Sequence, residues 1–124
     1  MLKELIILTV DDDIINLKLL RSMLIKNPDI KEVIEAKNGA EAIALIKSRP
    51  DINLILLDII MPIMNGLEVL KVVRCDESIK QMPIIVLTTD ETKKREAIEL
   101  GADDFITKPI RNSELTQKIT SSLV

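Results

Sequence analysis

A chain of 124 residues is long enough to bury a core without disulfides or a structural metal, and its length predicts a single domain. Its 17 Lys and Arg against 20 Asp and Glu give a net charge of −3, with no basic stripe and one aromatic, Phe105, which argues against direct nucleic-acid binding and excludes aromatic ligand cages. With no histidine and one cysteine, Cys75, the chain can form neither an internal disulfide nor a Cys/His zinc site, so a reducing, cytoplasmic setting is expected.

The N-terminal "MLKELIILTVDDD" has an apolar stretch too short to span a bilayer, and it runs into three carboxylates rather than a small-residue cleavage site. It reads as a buried strand over Leu5 to Val10. Ile14, Leu17, Leu20, Leu24 and Ile25 then recur at helical spacing until Asn27-Pro28 stops the run. A second strand, Val33 to Ala36, leads to a helix that starts at Asn38, with Glu41 placed three positions later as in a capping box and Pro50 just past its end. The third strand, Leu54 to Leu57, ends on Asp58, and the chain turns through Pro62 and Gly66 into a helix whose apolar positions are Leu67, Val69, Leu70 and Val73. Met61 and Met64 belong to that turn. A fourth strand, Ile84 to Thr88, precedes a helix from Glu91 to Leu100 that Gly101 closes. Phe105 to Thr107 forms the fifth strand, and Asn112 is the expected N-cap of a last helix over Ser113 to Leu123. No repeat, low-complexity tract or Gly/Ser linker is visible, so residues 1–124 are expected to form one domain with no output domain.

Apolar runs alternating with helical periods predict an α/β fold, a doubly wound five-stranded parallel sheet with five helices. Such sheets bind ligands outside the carboxyl ends of their strands. Asp11, Asp12 and Asp13 follow the first strand, Asp58 the third, Thr88 and Thr89 end the fourth, and Lys108-Pro109 follows the fifth. Each has an ordinary reading alone: a helix start, a turn cap, a strand threonine, a surface lysine. Four strands placing such residues on one rim point instead to phosphate chemistry. Clustered carboxylates need a cation, and an all-oxygen set without histidine suits Mg²⁺. A carboxylate can attack phosphorus and hold an acyl phosphate, while a metal ion, a hydroxyl and a lysine surround its oxygens.

The stretches "ILTVDDD", "LLDIIMPIMNG", "PIIVLTT" and "GADDFITKPI", in this order and spacing, resemble the receiver domain of bacterial two-component response regulators, over essentially the whole chain. The resemblance implies a flavodoxin-like strand order of 2-1-3-4-5. It implies that Asp58 is the phosphoacceptor, taking a phosphoryl group from a phosphohistidine on a sensor histidine kinase or phosphotransfer protein. Asp11 and Asp12, together with Asp58 and the backbone carbonyl of Ile60, would hold Mg²⁺, and Asp13 would belong to the helix start. Thr88 would move toward the phosphoryl group, Lys108 would bind one of its oxygens, and Phe105 would swing inward as the switch aromatic. The Lys108-Pro109 bond is a candidate cis peptide. Phosphorylation would bias the face around the fourth helix, last strand and fifth helix toward a downstream protein target, or toward a dimer. The chain would be no turnover enzyme, catalysing only its own phosphorylation and slow dephosphorylation. It resembles stand-alone receivers of the chemotaxis or phosphorelay kind, although a receiver cut from a longer regulator, or a docking module that is never phosphorylated, would have similar motifs.

Asn65 stands where the family commonly has Asp, and Thr89 where it has a smaller residue that leaves more room beside the acceptor. The apolar Ile60 side chain offers nothing to orient an attacking water, which predicts slow self-dephosphorylation, and Asp90 lies at the other position that commonly tunes that lifetime. Ile60 also weighs against a haloacid-dehalogenase-type phosphatase, which needs an Asp two residues after its nucleophile. A flavodoxin-like cofactor carrier would need a phosphate-cradling loop where "DDD" would repel phosphate.

Overall fold

The computed structural model describes residues 3–62 and 64–123. Five strands, β1 (Leu5–Val10), β2 (Ile30–Ala36), β3 (Leu54–Asp58), β4 (Ile84–Thr88) and β5 (Asp104–Thr107), pair in parallel in the order β2-β1-β3-β4-β5. They alternate with α1 (Ile14–Leu24), α2 (Gly39–Ser48), α3 (Gly66–Cys75), α4 (Lys94–Glu99) and α5 (Asn112–Leu123).

Successive strand residues point to opposite faces, so each strand feeds two cores. Leu8, Val10, Ile55, Leu57, Ile84, Val86 and Phe105 pack with α2, α3 and Ala97 of α4, whereas Ile7, Leu54, Leu56, Ile85, Leu87 and Ile106 pack with α1 and α5. The central strands β1, β3 and β4 are buried along their whole lengths, which is why they read as unbroken apolar runs rather than as alternating ones. This is the α/β, doubly wound, flavodoxin-like architecture the sequence predicts.

Local chemistry sets most boundaries. Asp13 caps α1, its carboxylate accepting the Ile15 N–H at 2.8 Å, and Asn38 caps α2 by accepting from Glu41 N–H at 2.8 Å. Glu41 does not close the box on Asn38; it accepts weakly from Lys37 N–H at 3.4 Å. A reciprocal capping box forms instead at α3, between Asn65 and Glu68. Gly101, at φ +107°, follows α4 as expected.

Four expectations need correction. β2 begins three residues earlier than the apolar run, because its edge position leaves Ile30 and Lys31 partly or wholly exposed and masks the pattern. The fourth helix starts as a 3₁₀ turn, Glu91–Lys93, and only then becomes α4, since Asp90 bonds Thr92 and tightens the first turn. Asn112 lies inside α5, where Leu115 N–H reaches the Arg111 carbonyl at 2.9 Å, so the cap falls one residue earlier. Ile14 and Ile25 are 53% and 64% exposed rather than part of the buried stripe. At about 100° per residue, both lie roughly a quarter turn away from Leu17, Leu20 and Leu24, which form that stripe.

Candidate functional site

At the carboxyl ends of the strands, backbone pairing continues past the side chains that matter. Asp11 N–H bonds the Ala36 carbonyl at 3.1 Å, Ile59 N–H the Leu87 carbonyl at 3.1 Å, and Lys108 N–H the Thr88 carbonyl at 2.8 Å. The rim residues are therefore carried on rigid backbone, not on free loops. Asp58 is the last residue of β3, in register with Leu87 of β4.

Asp11, Asp12 and Asp58 each offer a carboxylate oxygen, and these lie within 4.8 Å of one another. Asp11 and Asp58 are buried, at 1% and 5% exposure, while Asp12 faces outward. Lys108 Nζ stands 3.5 Å from both Asp11 Oδ2 and Asp58 Oδ1. The other Asp11 oxygen accepts the Asp13 N–H at 2.9 Å, which orients that carboxylate toward the lysine.

Burial pushes the Asp58 carboxyl up to about 6; Lys108 pulls it down, the Asp11 charge raises it and the Ile60 backbone amide lowers it again. The one ammonium does not offset burial and the neighbouring carboxylate. The cluster thus carries an uncompensated demand for positive charge.

Above it lies a depression of about 350 Å³, lined by Asp11, Asp12, Asp13, Asn16, Asp58, Ile60, Thr89 and Lys108. The Ile60 side chain is 59% exposed at its edge. Thr88 is buried at 1%, and its hydroxyl accepts the Asp90 N–H at 3.1 Å. Asp90 is in turn held below its ordinary range by Thr92, whose hydroxyl and N–H bond its carboxylate. Phe105 is 4% exposed and packed inward, and the Lys108-Pro109 peptide is cis.

The predicted rim residues therefore meet in one place, except that Thr88 is turned into its own loop and Phe105 lies in the core. Asn16 and Gly66 escaped sequence reasoning as site residues. Gly66 has no room for a side chain, since a Cβ would collide with the Asp58 carbonyl oxygen. The glycine after "MPIMN" was the available signal, but only the fold shows what it touches.

A flavodoxin-like sheet with three carboxylates and a lysine at its carboxyl rim defines a class of phosphate- and metal-suited α/β domain. The chain belongs to the response regulator receiver domain family, whose model matches residues 7–120. Similar proteins include the chemotaxis protein CheY1 of Helicobacter pylori, 32% identical over 115 residues that cover 91% of this chain and 92% of that protein. A CheY homologue of Campylobacter jejuni is 36% identical over 94 residues, 74% of this chain and 72% of that one. The crystal structure of a response regulator from Chloroflexus aurantiacus superposes with a TM-score of 0.90 at 30% identity, covering 98% of both chains. The protein is accordingly a receiver module of two-component signalling, a family of signalling domains rather than of turnover enzymes. Among the described residues no helix is long and apolar enough to cross a membrane.

Proposed function

We propose that this receiver accepts a phosphoryl group on Asp58 from a phosphohistidine of a sensor histidine kinase or phosphotransfer protein, and that the modified domain engages a protein target in the cytoplasm. The observation that carries the reading is Asp58 itself: a buried strand-end carboxylate, 3.5 Å from Lys108, opening onto an acidic depression. Residues 1–124 act as one receiver domain in this reading.

The donor set fits Mg²⁺: oxygen ligands only, clustered carboxylates, and a raised Asp58 pKa that a cation would relieve. Asp11, Asp12 and Asp58, with the Ile60 carbonyl, would hold it. Bound Mg²⁺ would neutralise the carboxylates and the phosphoryl oxygens during transfer.

In the transfer, an Asp58 carboxylate oxygen forms the bond to phosphorus as the bond to the donor imidazole nitrogen breaks. Lys108, already between Asp58 and Asp11, places its ammonium against a phosphoryl oxygen. The Thr88 hydroxyl turns toward the new charge and gives up its bond from Asp90 N–H. That loosens the start of the 3₁₀ turn, to which Thr107 of β5 is also bonded through Glu91 at 3.3 Å. α4 buries only Ala97 and the 3₁₀ turn before it buries nothing, so this segment is weakly held. The face formed by α4, β5 and α5, with Arg111 exposed on it and Phe105 buried beneath it, thereby shifts toward a partner-binding population, protein or second copy.

The test is intact mass after incubation with acetyl phosphate, with and without Mg²⁺, beside Asp58→Asn. A Mg²⁺-dependent gain of one phosphoryl group that Asp58→Asn lacks is expected. No gain from acetyl phosphate or from a phosphohistidine donor would leave a docking module as the better description.

A further inference from the structure

Met64, in the turn after Asp58, is half-buried and packs against the core between α2 and α3. What it covers is Gly39, the first residue of α2. A Cβ on Gly39 would stand 2.6 Å from Met64 Sδ, 2.8 Å from Met64 Cγ and 2.7 Å from Val69 Cγ2. Such approaches are shorter than packed side chains tolerate, so the missing methyl is a notch that Met64 fills.

Neither of the two helices can retreat easily. α2 is anchored by Ala42 and Ile46, at 0% and 1% exposure, and its start is pinned by Asn38. Val69 is 1% exposed in α3. Met64 is the movable member, and it belongs to the loop that carries Ile60. The far end of that loop is seated on the acceptor strand: Gly66 N–H donates to the Ile59 carbonyl at 2.8 Å, and Gly66 has no space beside the Asp58 carbonyl. Gly39 is thus packed against Met64 and Val69, and the loop that holds Met64 ends at Gly66, which is seated against Asp58.

We propose that Gly39, remote from the acidic cluster in sequence and on a helix that contributes nothing to it, is a positioning residue for the metal site. It acts through Met64 on the loop that presents Ile60. The inference rests on the reading that Asp11, Asp12, Asp58 and the Ile60 carbonyl hold Mg²⁺. An alanine at position 39 would expel Met64 and displace the loop while leaving every carboxylate in place.

The experiment follows amide chemical shifts of the ¹⁵N-labelled protein during a MgCl₂ titration, for the parent, Gly39→Ala, Met64→Ala and the double variant, with thermal unfolding measured alongside. Gly39→Ala is expected to weaken Mg²⁺ binding roughly tenfold, as changes just behind metal ligands do. Adding Met64→Ala should recover part of that loss, because the shorter side chain removes the clash with Met64 while the close approach to Val69 Cγ2 remains. Parental Mg²⁺ affinity in a Gly39→Ala protein that is merely less stable would overturn the proposal. If Gly39→Ala alone fails to fold, the double variant is compared with Met64→Ala: a loss clearly smaller than tenfold supports the proposal, and the full tenfold loss overturns it. A parent whose amides ignore Mg²⁺ would remove the metal reading and this inference together.

Discussion

Lys118 of α5 donates a 2.8 Å hydrogen bond to the backbone carbonyl of Phe105 in β5, and a second, at 3.0 Å, to Asp104 Oδ1. The same Asp104 oxygen accepts the Phe105 N–H at 2.8 Å. β5 ends the sheet and has a neighbour on one side only. A helix side chain and a strand carboxylate thus satisfy the outward-facing carbonyl and N–H of Phe105. Arg21 of α1 serves the other edge in the same way, bonding the Val33 carbonyl of β2 at 3.0 Å.

Lys118→Met should therefore loosen β5 without emptying space, because the stem is kept. The expected loss is about 1 kcal/mol, reduced from a buried charged hydrogen bond because the side chain is partly wet. Faster amide exchange confined to residues 104–108, with Lys118→Arg close to the parent, is the signature to look for by hydrogen-exchange mass spectrometry.

The stability of the metal-free protein should fall between about pH 4 and pH 6 on account of Asp58. Its folded form keeps the carboxyl proton up to about pH 6, whereas an unperturbed Asp loses it near 3.8. The folded state binds more protons in this window, so stability declines as pH rises through it, by at most roughly 3 kcal/mol. Asp76, lowered to about 2 by Ser78 and Lys47, works in the opposite sense, its contribution fading as pH falls below the unfolded value. Asp58→Asn isolates the first effect. In EDTA at pH 7 it should melt higher than the parent by circular dichroism, with the gap closing toward pH 4.

Lys108→Met should separate metal binding from phosphorylation. Removing the ammonium that stands 3.5 Å from Asp11 and Asp58 takes away the cluster's competing cation. At pH 8, Mg²⁺ should bind roughly threefold to tenfold more tightly, the effect of one nearby charge in a partly screened site. Phosphorylation by acetyl phosphate should nevertheless slow markedly. An NMR titration and a mass time course on the same sample check both halves, and weaker Mg²⁺ binding would contradict the role given to Lys108.

Arg74→Ala should be the most costly of these changes although it touches no site residue. Its guanidinium donates to the carbonyls of Gly101, Lys80 and Met82 and to Asp103, which in turn accepts the Ile84 N–H. Truncation orphans several partly buried acceptors, and about 2–4 kcal/mol is expected. Arg74→Lys should recover less than half, because an ammonium cannot reach acceptors set around a planar fork. Urea unfolding followed at 222 nm would measure both.

The element order and the acidic rim could be read from the chain because they rest on short-range rules. Strand-length apolar runs, the Asn38 cap, Gly101 after the fourth helix, and polar residues immediately after four strands are all local patterns. Errors arose where local signals compete with position in the sheet. Ile30 lies on an edge, so its strand lacks the apolar continuity of β1 or β3. Ile14 and Ile25 are apolar but face away from the stripe of Leu17, Leu20 and Leu24.

What the sequence determined by itself was the inventory: five strands, five helices, and the Asp, Thr and Lys that end on one rim. Only the tertiary structure decided how those groups are poised. Asp58 owes its raised pKa to burial and to Asp11, 47 positions away in the chain, while Lys108 reaches both from 50 positions further on. Arg74, Lys118 and Gly39 gain their partners only when distant segments pack. Spacing along the chain encodes secondary structure because backbone hydrogen bonds repeat locally, but electrostatics and close contact depend on distance in space, which the fold alone sets.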